Sequence, residues 1–158
     1  MKAEKQIITT EPVDITIDLI TLLSADEYER CKEHIPLLDD WWWLRSPGYD
    51  SNSAAYVYLG GSVLYIGHLV CNDYGAVRPV VVLRLNPESV NLQIGDKLHF
   101  AGYAWTMIAP DMALCDDVVG QTCFRKDWQA PDANDYEKSD VKVWLEKWAQ
   151  DNGIEVGA

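Results

Sequence analysis

The 158-residue chain contains nothing close to the run of about 18 apolar residues that a helical membrane span needs. Nor does Met1-Lys2-Ala3-Glu4-Lys5-Gln6 lead into an uninterrupted apolar stretch, so no secretory signal is expected and the reading is cytoplasmic, or within a phage particle. Paired cysteines are missing too. Cys31, Cys71, Cys115 and Cys123 lie far apart with no Cys-x-x-Cys, and His34, His68 and His99 are scattered. A zinc site needs tighter clustering, so no metal is expected and the thiols read as reduced and mostly buried. The sequence has no Gly-x-Ser-x-Gly, His-Glu-x-x-His, phosphate loop or dinucleotide fingerprint, so it offers neither a catalytic constellation nor a cofactor site. Asp39-Asp40 and Asp116-Asp117 have the chemistry to bind a cation, but read as solvated turn or cap residues.

Positive charge is scarce: 13 Lys and Arg stand against 25 Asp and Glu, a formal net charge of −12. Such a field repels phosphate backbones and argues against direct DNA or RNA binding. It keeps a protein soluble, and it suits a basic partner or imitation of a nucleic acid. Phenylalanine is scarce as well, with two Phe beside seven Trp and eight Tyr. The aromatic set is therefore one with polar handles, which serves both cores and recognition surfaces.

The length suits one domain. Residues 13–23 alternate through Val13, Ile15, Ile17 and Leu19, which predicts a strand. Ser24-Ala25-Asp26-Glu27 is a capping box, opening a helix with Tyr28, Cys31 and Ile35 on one face that stops at Pro36. From Trp41 to Leu85, valines separated by Gly60-Gly61, Gly67, Asn72-Asp73 and Gly75 predict a meander of short strands. It ends in Val80-Val81-Val82-Leu83, which suits a strand buried on both faces. Residues 84–95 read as a connector. Lys97 to Ile108 predicts one strand, broken at Pro110-Asp111, with Met112 to Asp116 pairing back. A polar loop over 127–137 precedes a final helix capped by Ser139 or Asp140, with Val141, Trp144, Leu145 and Trp148 at helical spacing and Gly153 at its end.

The most distinctive stretch is Trp41-Trp42-Trp43-Leu44-Arg45-Ser46-Pro47-Gly48, followed by Ala54-Ala55-Tyr56-Val57, Gly61-Ser62-Val63 and Val77-Arg78-Pro79. It resembles a bacterial and phage domain family of unknown function whose hallmarks are W-W-L-R-S-P-G, A-A-x-V, D-G-S-V and G-V-R-P. Trp42, Trp43, Arg45, Pro47, Gly48, Arg78 and Pro79 fall on motif positions. Gly60 stands where the motif has Asp, and Ala76 interrupts the last motif. The resemblance implies an α+β, C-type-lectin-like build, similar to formylglycine-generating-enzyme-like sheets, and kinship with variable proteins of diversity-generating retroelements.

The family's other half is matched after this stretch rather than before it. Gly95 to Trp105, Asp117-Val118-Val119-Gly120 with Phe124, and Asn134 to Leu145 carry it, so the order of halves is that of a circular permutant. The expectation is one domain over 1–158: a family C-terminal half over 1–85, a connector over 86–95 and a family N-terminal half over 96–158. A domain-swapped dimer remains the alternative.

Of Trp41 to Trp43, alternate rings are expected to pack the core while the other faces a neighbouring segment, and Arg45 and Arg78 are expected to pin loops through carbonyls or a carboxylate. Between the motif residues lie Tyr49, Asp50, Asn52, Tyr56, Tyr58, Tyr65, His68, Asn72, Asp73 and Tyr74, side chains that binding loops favour. In retroelement-diversified relatives the resemblance makes this stretch the variable binding surface. The reading is thus a non-catalytic module that binds a protein or glycan, with homo-oligomers possible. The alternatives are a small acidic phage-type inhibitor of a host defence nuclease, anti-CRISPR-like and acting as a nucleic-acid mimic, and a virion or tail component. The formylglycine-generating cysteine pair is not matched, and neither lectin calcium motif, Glu-Pro-Asn or Trp-Asn-Asp, occurs.

Overall fold

The computed structural model describes residues 6–8, 15–86, 88 and 90–157. Among them the fold is α+β, with two sheets and two α-helices. The first sheet is built from β1 (Gln6–Ile8), β2 (Ile15–Thr21), β7 (Val80–Leu85), β8 (Lys97–Phe100), β9 (Tyr103–Ala109) and β10 (Met112–Cys115). Its strand order is β1-β8-β9-β10-β7-β2. The second is built from β3 (Trp42–Pro47), β4 (Ser53–Val57), β5 (Val63–Leu69), β6 (Ala76–Val77) and β11 (Gly120–Gln121), in the order β11-β6-β3-β4-β5. Strands from residues 15–85 and from residues 97–121 therefore share both sheets, and β1 joins β8 in parallel.

The local signals act as the sequence dictates. Ser24 accepts from the Glu27 amide while the Glu27 carboxylate accepts from the Ser24 amide, opening α1 (Ala25–Cys31) with a complete capping box. A 3-10 turn, Lys32–His34, carries the chain to Ile35, and Tyr28, Cys31 and Ile35 are all buried. Ser139, not Asp140, caps α2 (Asp140–Asp151) by accepting from the Lys142 amide. Val141 and Leu145 bury on one face, and Gly153 takes the positive φ of 74° that ends the helix.

Two strand expectations need correction. The run from Lys97 to Ile108 is a hairpin, because Ala101 and Gly102 both adopt positive φ, 56° and 80°, and turn the chain between β8 and β9. In β2 the alternation breaks. Ile17 faces Leu83 while Leu19 faces Val82, so one extra residue is accommodated at Asp18. The slip reverses the faces, leaving Leu19 exposed and burying Ile20. Val13, the expected start of this strand, lies outside the described residues.

The apolar side chains form two clusters. One gathers Trp43, Val81, Leu83, Leu98, Trp105 and Phe124 beneath α2, and the other gathers Trp42, Leu44, Val57, Val80 and Leu114 beneath α1. β3 and β7 contribute to both, since successive side chains of a strand point to opposite faces. Trp42 and Trp43 are thus both buried, on opposite sides of one strand.

Candidate functional site

The two motif arginines act as ties. Arg78 is 1% exposed. Its Nε donates to the Cys115 carbonyl at 2.7 Å and Nη1 to Pro36 at 3.1 Å, while its guanidinium lies 5.1 Å over the Trp42 ring. Burial pulls its pKa down to about 10, so it stays a cation at neutral pH, held by carbonyl dipoles and a ring face. Arg45 donates to the Leu22 carbonyl at 2.8 Å and makes a bidentate pair with Glu27. Burial raises the Glu27 carboxyl pKa, but the bonds from Arg45 and the Ser24 amide outweigh it and the net shift is downward. The helix cap and the motif strand are therefore one network. Gly48 has no room for a side chain, as a Cβ there would stand 2.7 Å from the Ile66 carbonyl. Pro47 closes β3 opposite Ala54, and the Pro79 carbonyl accepts from the Cys115 amide.

The residues proposed for recognition fall into three groups. Tyr56, Tyr58, His68 and Asn72 come together on one face of the second sheet. The Tyr56 and Tyr58 rings lie 6.5 Å apart, Tyr56 stands 5.7 Å from His68, and the Asn72 amide is 3.3 Å from His68 Nε2. Trp41, half-buried against the core, completes this group by stacking on His68 at 4.8 Å with an interplanar angle of 7°. Its i, i+2 spacing from Trp43 was the signal, since both side chains then share a face and their rings meet at 5.0 Å.

Tyr65 belongs elsewhere, donating to Glu29 of α1 at 3.0 Å. The third group sits on turns: Tyr49, Asp50 and Asn52 between β3 and β4, Asp73 and Tyr74 after β5. Tyr49 is 80% exposed and Tyr74 72%. The first of these turns is pinned by Asn134, which donates to the Asp50 and Ser53 carbonyls, and by the Tyr49 amide on the Ile66 carbonyl.

One concavity was not legible in the sequence. A cavity of about 270 Å³ is lined by the apolar Leu19, Val82 and Met112 and by Arg45, Tyr136 and Lys142. The outward turn of Leu19 at the β2 bulge helps to form it. Its ionic groups are paired with one another, Arg45 with Glu27 and Lys142 with Glu137 and Glu146 at 3.7 and 3.5 Å. Burial first of all pushes the Tyr136 hydroxyl up to about 12, so it remains a neutral phenol. Among the described residues, no three His, Cys, Asp or Glu side chains converge as metal ligands, and no helix is long and apolar enough to cross a membrane. The Asp116 carboxylate is engaged by Lys97 and Thr106, and Asp117 accepts from the Val118 amide.

Comparison with family models, with curated proteins and with solved structures gives no match.

Proposed function

We propose that this chain is a binding module without catalytic chemistry that recognises a protein or glycan through the tyrosine-bearing face and turns around β4 and β5. The observation that carries the reading is where the exposed large apolar and aromatic side chains lie. Tyr49, Tyr58, Leu59, Tyr65, Ile66, Leu69 and Tyr74, seven of the thirteen among the described residues, fall within residues 49–74. A single exposed ring needs no explanation, but a concentration of them on one strand and its turns marks a contact surface. Tyrosine suits the role because a rigid ring gives area at little entropy cost while its hydroxyl reaches a polar partner.

Membership of the W-W-L-R-S-P-G family, with its C-type-lectin-like build and permuted halves, forms part of this proposal. It is supported by the structural work of Arg45, Gly48, Arg78 and Pro79, which explains why those residue types recur in a motif. The backbone bond from Gly157 to Ile17 at 2.9 Å sets residue 157 beside the start of β2, the proximity that a reordering of halves requires.

The test uses the three tyrosines whose loss leaves the interior intact. The chain is labelled and applied to glycan and protein arrays beside Tyr49→Ser/Tyr58→Ser/Tyr74→Ser. Discrete binders that weaken at least tenfold in the triple variant, with thermal unfolding unchanged, support the reading. Binders retained at full strength overturn it. Retention combined with loss in salt favours the acidic-inhibitor alternative.

A further inference from the structure

We infer that β5 is a docking strand, extended by a basic segment of the partner that lies beside it and continues the sheet. The inference rests on the reading above and specifies its mode and chemistry. Among the described residues β5 is the last strand of its sheet, paired on one side with β4 alone. A strand with one side open presents backbone donors and acceptors that another chain can satisfy. Proteins ordinarily guard such strands by keeping them short or by placing Lys or Pro on them. β5 has seven residues, Val63 to Leu69, with neither. No Lys or Arg occurs anywhere from residue 46 to 77. One guarding device is present, a bulge: the register against β4 shifts between Ala54 and Tyr56, where Tyr65, Ile66 and Gly67 stand opposite Ala55, and the φ of 86° at Gly67 lets the backbone close on Ala54.

The other long sheet edge is treated differently. β2 is the last strand of the first sheet, and there the Ile17 carbonyl is taken by the Gly157 amide while Asp18 pairs with Arg84 at 3.1 Å. β5 instead exposes Tyr65, Ile66 and Leu69.

Charge selects the occupant. Around β5 stand exposed acids: Glu29, which accepts from Tyr65, and Asp26 on α1, Asp50 on the turn held to Ile66, and Asp73 beyond the strand end. Two cations stand at the end of α1, Lys32, which is held by Glu29 at 3.1 Å, and the exposed Arg30, and the four acids outnumber them. A second copy of this chain would bring an identical acidic rim and a further net charge of −12 against the first. An extended segment with apolar residues facing Tyr65 and Leu69 and with Lys or Arg between them complements both the apolar row and its rim.

The test uses the full chain with two labelled peptides, acetyl-Lys-Val-Lys-Val-Lys-Val-Lys-amide and its counterpart with Glu in place of Lys. Binding is followed by anisotropy and by amide hydrogen exchange. The expected result is saturable binding of the basic peptide that is at least tenfold tighter than that of the acidic one and slows exchange of the Val63–Leu69 amides at least tenfold. Ile66→Lys/Leu69→Lys, two exposed positions, should weaken it at least tenfold with unfolding unchanged, and Tyr65→Pro provides a second block. Equal binding of both peptides, or binding that leaves β5 exchange unchanged, overturns the inference. Protection that grows with concentration of the chain alone assigns the edge to a second copy and also overturns it. An array binder that depends on Tyr49, Tyr58 and Tyr74 but leaves β5 exchange unchanged removes the strand addition and keeps the surface reading. Peptide binding that the triple tyrosine variant retains, with no tyrosine-dependent array binder, removes that surface reading instead.

Discussion

β3 and β5 belong to the same sheet, separated by one strand, and both are rich in aromatic and aliphatic side chains. Their fates are opposite. β3 buries Trp42, Trp43 and Leu44 on both of its faces, whereas β5 leaves Tyr65, Ile66 and Leu69 at the surface. What separates them is position: β3 lies between β6 and β4, while β5 has a neighbour on one side. Composition therefore states how much apolar area a strand carries, and strand order decides whether that area holds the fold together or meets something else.

Substitutions sharpen the contrast, and the largest effect is expected at Trp43. Its ring is fully buried, its Nε1 donates to the Thr122 carbonyl at 2.9 Å, and it packs edge-on to Phe124. Trp43→Ala should cost about 3–5 kcal/mol in chemical unfolding, and a loss under about 1 kcal/mol would contradict the placing of β3 in both apolar clusters.

A middle effect is expected where α1 is tied to β3. Glu27 has a depressed folded pKa against an ordinary value of 4.5. Its contribution is therefore fully present above about pH 4.5 and lost as pH falls through the lower folded value. Glu27→Gln keeps the capping geometry and removes the charge, so it should cost about 1 kcal/mol at pH 7. The difference from the natural chain should shrink as pH falls below 4.5 and through the lower folded value. A difference independent of pH would mean that the pair with Arg45 contributes nothing.

The smallest effect belongs to β5. Leu69→Ser should change stability by no more than about 0.5 kcal/mol. A loss of several kcal/mol would show that this strand is part of the interior in solution and would erase the comparison.

The legible parts of the fold were those whose cause is local. Ser24 with Glu27, Ser139 before Val141, and Pro110-Asp111 between two alternating runs each act within a few residues. The Ala101-Gly102 turn was also within reach, since glycine interrupts the alternation there, but the flanking apolar residues hid it. The slip at Asp18 has no such signature, because it is set by the register against β7. The candidate surface divides in the same way. Exposure of Tyr49 and Tyr74 followed from their place among turn residues. The assignment of Tyr65 to the α1 side, the stacking of Trp41 on His68, and the bare edge of β5 all depend on which strands become neighbours. That is settled by contacts far apart in the chain.

The adjacent tryptophans have one more consequence. Because Trp42 anchors the cluster beneath α1 and Trp43 the cluster beneath α2, neither layer can loosen without tugging on the same stretch of backbone. Heat or denaturant therefore meets a coupled system rather than two independent halves.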